Sequence, residues 1–119
     1  MWIVAVLFLG MGALGLVSPT RLVAPFGIEL TGADARSEVR AVYGGFGIAV
    51  GAVLITAAQC DDTGWRHGVA TAIGVALAGM AFGRLISRLR ERPGGFYPVW
   101  FYFWVEVVLA GLLFASTRG

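Results

Sequence analysis

The most constraining feature of this chain is an apolar run at residues 38–59, which reads EVRAVYGGFGIAVGAVLITAAQ. Beyond Arg40 the run carries no charged side chain and is rich in glycine. About 20 apolar residues at ~1.5 Å rise each cross the hydrocarbon core of a bilayer, where every backbone group must be paired internally. The run therefore predicts a membrane-spanning α-helix.

Three further stretches have the same character, and the composition agrees with them. Hydrophobic residues make up 58% of the 119, charged residues only 13%, and the mean hydropathy is +0.81. A soluble domain of this length needs more polar surface than that. We predict an all-α integral membrane protein, a four-helix bundle that forms one transmembrane domain. Its helices are expected at about residues 1–17, 38–59, 65–89 and 96–116.

The ends of the first two predicted helices can be argued from local signals. No Lys or Arg precedes Arg21, so the first stretch lacks the basic start of a secretory signal and is expected to be a retained span. Residues 20–34 mix apolar and charged side chains with two helix breakers, and both an interfacial segment and an ordinary loop fit them. Ser37 is expected to be the N-cap of the second span, with Glu38 beside the positive end of the helix dipole.

The arginines predict the orientation of the four spans. The chain has nine basic residues besides its one His, all of them Arg, and only Arg66 and Arg118 fall on the side of the termini and the middle turn. Under the positive-inside rule the Arg-rich side faces the cytoplasm, so both termini should lie on the extracytoplasmic side. The preference for Arg, with abundant Gly and Ala, indicates a bacterial inner membrane protein. The seven cytoplasmic arginines are Arg21, Arg36, Arg40, Arg84, Arg88, Arg90 and Arg92.

Several function classes are disfavoured by the same composition. Arginines at helix ends, with no basic domain behind them, argue against a nucleic-acid partner. The single Cys60 leaves no internal disulfide and no Cys-based metal cage. Cys60, Asp61, Asp62 and His67 lie close together, but their spacing fits no zinc signature and indicates a hydrophilic turn. We expect no metal and no cofactor.

Two GxxxG patterns, in the second and third spans, predict helix packing surfaces. Small residues let helix backbones approach closely in lipid, where packing replaces the hydrophobic effect. The surfaces could serve contacts within the chain or with another chain, and both uses fit the pattern. The residues are Gly44, Gly45, Gly47, Gly51, Gly79 and Gly83.

Glu106 is the only acidic residue well inside an apolar stretch. A charged carboxylate in hydrocarbon costs at least ~2.5–3.5 kcal/mol, so Glu106 should face the bundle interior, be protonated, or pair with Arg40 or Arg84. The predicted orientation brings Arg40, Tyr43 and Arg84 to the same cytoplasmic side, where they form a candidate intramembrane cluster with Glu106. The cluster fits a register-fixing ion pair or a ligand site. Its expected aromatic wall is Trp100, Phe103 and Trp104.

A resemblance to a known family rests on the run from Glu38 to Gly45, the Gly83-Arg84 pair and Glu106. Together they resemble a family of small bacterial membrane proteins catalogued as a domain of unknown function, with Arg40-x-x-Tyr43-Gly44-Gly45 as the distinctive motif. The resemblance covers nearly the whole chain, implies four helices and implies no activity. In overall plan the chain is also similar to the DoxX-like group and to emopamil-binding sterol isomerases, which use acidic residues in an aromatic-lined cavity, although it has none of the isomerases' motifs.

Two functions follow as expectations. The first is a non-enzymatic accessory or structural subunit that packs through its Gly-rich faces, with the bilayer and a larger membrane complex or a second copy as partners. The alternative is a binder, carrier or isomerase of a hydrophobic ligand, such as a quinone, isoprenoid or sterol-like molecule. In that case Glu106, Arg40, Tyr43 and Arg84 would form the site. A channel or transporter is disfavoured because a single polar cluster gives a monomer no path across the bilayer.

Overall fold

The computed structural model describes residues 1–90 and 99–117, and these residues are all-α. They divide into two compact units, Met1–Gln59 and Cys60–Gly119. In the first unit α1 packs against α3, and in the second α4 packs against α5. How the two units assemble into the expected four-helix bundle stays a prediction. The five helices are α1 (Trp2–Val17), α2 (Pro19–Val23), α3 (Ala33–Gln59), α4 (Thr63–Arg90) and α5 (Phe101–Ala115).

The helix α3 begins at Ala33, earlier than the expected start at Glu38. Gly32 precedes it with an extended backbone (φ −159°, ψ 171°), and Asp34 lies in the first turn, where a carboxylate complements the helix dipole. Ser37 therefore lies inside the helix, and its prediction as the N-cap is wrong. The polar residues before the apolar run are helical because continuing the helix pairs their backbone groups.

The connection between α1 and α3 is partly helical. Pro19 starts α2 at a position where its missing N–H costs nothing, and a 3₁₀ turn, Ala24–Phe26, follows. Gly27 ends this segment with φ 72°, a left-handed conformation that glycine adopts without steric cost. The first half of the connection is therefore a short helix, and whether it lies in the membrane interface stays a prediction.

The antiparallel helices α1 and α3 meet at backbone distance. A Cβ placed on Gly12 would lie 2.6 Å from the Ile48 nitrogen, and one on Gly47 would lie 2.9 Å from the Phe8 carbonyl oxygen. Only residues without a side chain permit this approach. The glycines that take part in it are Gly12, Gly15, Gly44, Gly47 and Gly51.

The second unit is an antiparallel pair of helices. Asp62 caps α4 by accepting a hydrogen bond from the Trp65 nitrogen at 3.1 Å, so this helix begins two residues before the expected Trp65. The expected start of the last span, at Phe96, lies outside the described residues, as do Arg92 and Arg118; the first α-helical residue described there is Phe101.

Two helices are long and apolar enough to cross a membrane, namely α3 with 27 residues and α4 with 28. The helices α1 and α5 are also apolar but shorter, with 16 and 15 residues. The sequence predicted four spans, so length and composition support two of them among the residues that the structure describes.

Candidate functional site

The candidate site is an ion pair between the two helices of the second unit. Glu106 on α5 is only 4% exposed, and its Oε1 accepts a hydrogen bond from the Nε of Arg84 on α4. Leu109 and Leu113 follow Glu106 on the same buried face, one and two turns along α5. Since the Arg84 side chain is 22% exposed, the pair reaches the protein surface through the arginine.

The second carboxylate oxygen of Glu106 is unsatisfied. Glu106 Oε2 is buried and has no hydrogen-bond partner within residues 1–90 and 99–117. Buried polar atoms are nearly always hydrogen-bonded, and an ionised carboxylate oxygen can only accept. This oxygen is therefore the atom of the site that a donor group would bind.

Tyr102 is the member of the site that sequence reasoning missed. Its ring centroid lies 5.8 Å from the guanidinium carbon of Arg84, within the range of a cation–π interaction. Tyr102 precedes Glu106 by four residues, so both lie on one face of α5. This i, i+4 spacing was a usable signal, but the predicted cluster contained Tyr43 instead.

Arg40 has a partner within its own unit. Its Nε donates to the carbonyl oxygen of Leu16 at 3.2 Å. That carbonyl lies in the last turn of α1, where no intrahelical partner exists and where a cation complements the helix dipole. Tyr43 is exposed and lies in the same π-helical turn, Arg40–Gly45. That Arg40 and Tyr43 join Glu106 and Arg84 stays a prediction.

In the expected aromatic wall, Phe103 contacts both Trp100 and Trp104 edge to face. The ring centroids of Trp100 and Phe103 are 5.4 Å apart, and those of Phe103 and Trp104 are 5.1 Å apart. Phe103 lines a groove of about 380 Å³ between α4 and α5, whereas Trp104 is 55% exposed. The wall is thus a contiguous aromatic cluster, of which Phe103 faces the groove.

The groove between α4 and α5 is lined only by Ala, Gly, Leu, Val and Phe residues. Leu85 and Phe103 lie at one end of it, and Ala78 and Phe114 at the other. Leu85 follows Arg84 directly, and Phe103 precedes Glu106 by one turn. The groove therefore starts at the level of the ion pair and runs away from it along the hairpin.

The other glycines predicted to pack, Gly45, Gly79 and Gly83, have in the described part of the chain no close neighbours like those in the α1–α3 contact. A Cβ on Gly45 would meet only the Arg40 carbonyl oxygen, at 3.8 Å. Among the described residues nothing lies within 4 Å of a Cβ placed on Gly79 or Gly83. The first GxxxG therefore lies against α1, and the second faces open space.

The polar turn before α4 is occupied with local hydrogen bonds. Besides the cap on Trp65, the backbone nitrogen of Asp62 donates to Cys60 Sγ at 3.4 Å. No group of three His, Cys, Asp or Glu side chains placed to hold a metal occurs in the described part of the chain.

These features define an all-α protein with two helices long and apolar enough to cross a membrane. The chain belongs to the family described as a domain of unknown function (DUF4345), which matches residues 1–116. Family membership with unknown function is thereby confirmed, while the bacterial origin and the Arg-x-x-Tyr-Gly-Gly motif stay predictions. No curated protein and no solved structure matches the chain.

Proposed function

We propose that the chain is a non-enzymatic integral membrane protein that serves as an accessory or structural subunit. The observation that carries this proposal is the apolar surface that the helices leave exposed. Only 33% of the most apolar window of α3 and 22% of that of α4 are buried, and Ile3 and Phe82 are more than 60% exposed. Exposing apolar surface to water costs about 25 cal/mol per Å², whereas lipid removes that cost.

The proposed orientation places both termini on the extracytoplasmic side of a bacterial inner membrane. Arg88 and Arg90 are exposed in the last turn of α4, where long basic side chains reach lipid headgroups. Together with Arg84 they support a cytoplasmic location for this end of the helix under the positive-inside rule.

The proposed contact with a partner is the open face of α4. Gly44, Gly47 and Gly51 are used within the chain, against α1. Nothing among the described residues lies within 4 Å of a Cβ placed on Gly79 or Gly83, which leaves room there for a neighbouring helix. The partner is a helix of a larger membrane complex or of a second copy of this chain.

Two measurements test the proposal. The full chain should stay in membranes washed with alkaline carbonate, and native mass spectrometry in mild detergent should show it in a stoichiometric complex. Gly79→Ile should remove the partner, whereas Gly10→Ile, at a position equally open in the structure, should not. Release by carbonate contradicts the membrane location, and recovery only as a monomer contradicts the subunit role.

A second candidate function is the binding of a hydrophobic ligand at the Arg84–Glu106 site. It is supported by the unsatisfied Glu106 Oε2 and by the apolar groove that starts beside the ion pair. The same native mass spectra test it, since a small apolar molecule should be retained by the natural chain and lost in Glu106→Gln. Retention at full affinity by the folded variant contradicts this candidate.

A further inference from the structure

We infer that the Arg84–Glu106 site binds an uncharged lipid that donates a hydrogen bond from its headgroup, such as a lipid alcohol, with the apolar chain in the α4–α5 groove. The inference rests on the second candidate function and specifies the chemistry of its ligand. Each part of it follows from a different feature of the site.

The free oxygen of Glu106 requires a hydrogen-bond donor. Oε1 is occupied by Arg84 Nε, and Oε2 is buried without a partner among the described residues. In the ion pair with Arg84 the carboxylate of Glu106 carries the negative charge, and both oxygens of an ionised carboxylate can only accept hydrogen bonds. A hydroxyl group satisfies Oε2, whereas a quinone or ketone oxygen, itself only an acceptor, does not.

Charge balance favours an uncharged ligand. The guanidinium of Arg84 and the carboxylate of Glu106 already neutralise each other in a site where Glu106 is almost fully buried. An anionic headgroup would be repelled by the carboxylate, and a cationic one would leave a net charge beside apolar surface. The alcohol of an isoprenoid, sterol or long-chain lipid is uncharged and donates a hydrogen bond, so it meets both requirements.

The groove gives the apolar part of the ligand its place. It starts at Leu85 and Phe103, at the level of the ion pair, and runs to Ala78 and Phe114, and none of its described lining residues has a polar side chain. Arg84 and Glu106 are not themselves among the groove's lining residues. The hydroxyl of a bound lipid therefore has to enter between the two helices to reach Glu106 Oε2, while its chain lies along the groove. The Arg84–Glu106 pair would thus bind the headgroup, and the groove of the same helical hairpin would bind the apolar chain.

The test compares three photoreactive probes on the full chain in liposomes. The probes are a long-chain alcohol that carries a diazirine in the chain, its methyl ether, and the ketone of the same length. The alcohol should label the protein saturably, with adducts at Phe103 or Val107. Its half-saturating concentration should be about tenfold below that of the ether, as expected for one hydrogen bond to a charged group.

The other outcomes separate this inference from the function on which it rests. Saturable labelling by alcohol and ether at equal concentrations overturns the donor requirement but leaves a lipid site. A preference for the ketone also overturns the donor requirement, because a ketone only accepts hydrogen bonds and the donor would then belong to the protein. Labelling that never saturates with any probe overturns the ligand site altogether.

A matched pair of variants tests whether Glu106 causes the preference for the alcohol over the ether. Glu106→Gln presents an amide NH₂ as a donor at the position of Oε2, so the alcohol should lose its advantage over the ether. Glu38→Gln makes the same change on α3, at an exposed position, and should keep the tenfold ratio. An unchanged ratio in folded Glu106→Gln overturns the assignment to Glu106, and if that variant does not fold, the comparison of probes on the natural chain decides.

Discussion

Arg84 and Glu106 are paired, but their surroundings are unequal. The glutamate side chain is 5% exposed and the arginine side chain 22% exposed. A partner lost from a buried ion pair leaves an uncompensated charge, and its cost depends on whether the remaining group can reach a polar environment. Arg84 can extend towards headgroups, while Glu106 is confined between the helices.

Removal of the arginine should therefore be the more damaging change. Arg84→Met should lower the free energy of unfolding by about 3–5 kcal/mol, because Glu106 remains buried and unpaired. Glu106→Leu should cost clearly less, and Arg84→Met combined with Glu106→Leu should recover most of the loss. Denaturation of the purified chain in mixed micelles measures all three. Equal costs for the two single variants, with no recovery in the double variant, would show that the pair does not act as a unit.

At the scale of elements, the contact between α1 and α3 depends on where glycines face backbone. Gly47 and Gly51 formed a visible pattern in the sequence, but Gly12 and Gly15 on α1, which complete the contact, did not enter the prediction. Their partners lie about 30 residues further along the chain. Which residues of α1 lie opposite the glycines of α3 depends on how the two helices are rotated relative to each other. The glycine pattern of one helix therefore predicts that it has a packing face, but not which residues of the other helix contact that face.

Paired alanine substitutions should separate glycines in contact from open ones. A Cβ on Gly47 would lie 2.9 Å from backbone atoms of α1, which cannot move aside, so Gly47→Ala should destabilise the chain by about 1–3 kcal/mol. Gly79→Ala gains up to about 1 kcal/mol of helix propensity with nothing in its way, so it should be neutral or stabilising. Thermal denaturation in detergent compares them. A Gly47→Ala variant as stable as Gly79→Ala would argue against the close α1–α3 contact.

At the scale of the whole molecule, the single cysteine reports on orientation. In the proposed topology the turn that contains Cys60 lies on the extracytoplasmic side. A membrane-impermeant maleimide should therefore label Cys60 in right-side-out vesicles without permeabilisation. A cysteine at Ser87, in a Cys60→Ala background, should be labelled only after permeabilisation, because it belongs to the Arg-rich side. The reverse pattern would contradict the assignment from the arginines.

The sequence by itself determined the helical class, the apolar character of the four helical segments and the membership of a family whose function is unknown. The helical class and the apolar segments follow from composition and from hydropathy along the chain, which are local properties. The family was suggested by a resemblance and is shown by the match over residues 1–116. It also singled out Glu106 and left its partner open between Arg40 and Arg84, because a charge in an apolar stretch requires a partner. The predicted start of α3 at Glu38 was wrong because a serine is tolerated inside a helix that begins earlier, so a favourable N-cap residue such as Ser37 does not by itself fix where the helix begins.

Only the tertiary structure decided which groups meet. It paired Glu106 with Arg84, set Tyr102 beside that arginine, and gave Arg40 the Leu16 carbonyl as its partner. Among the residues that the structure describes, it also left Glu106 Oε2 without a hydrogen-bond partner, at the level where an apolar groove begins. Side chains far apart in sequence come into contact only at a particular relative rotation and register of the helices. That arrangement is determined by many packing contacts together, and no local stretch of sequence specifies it.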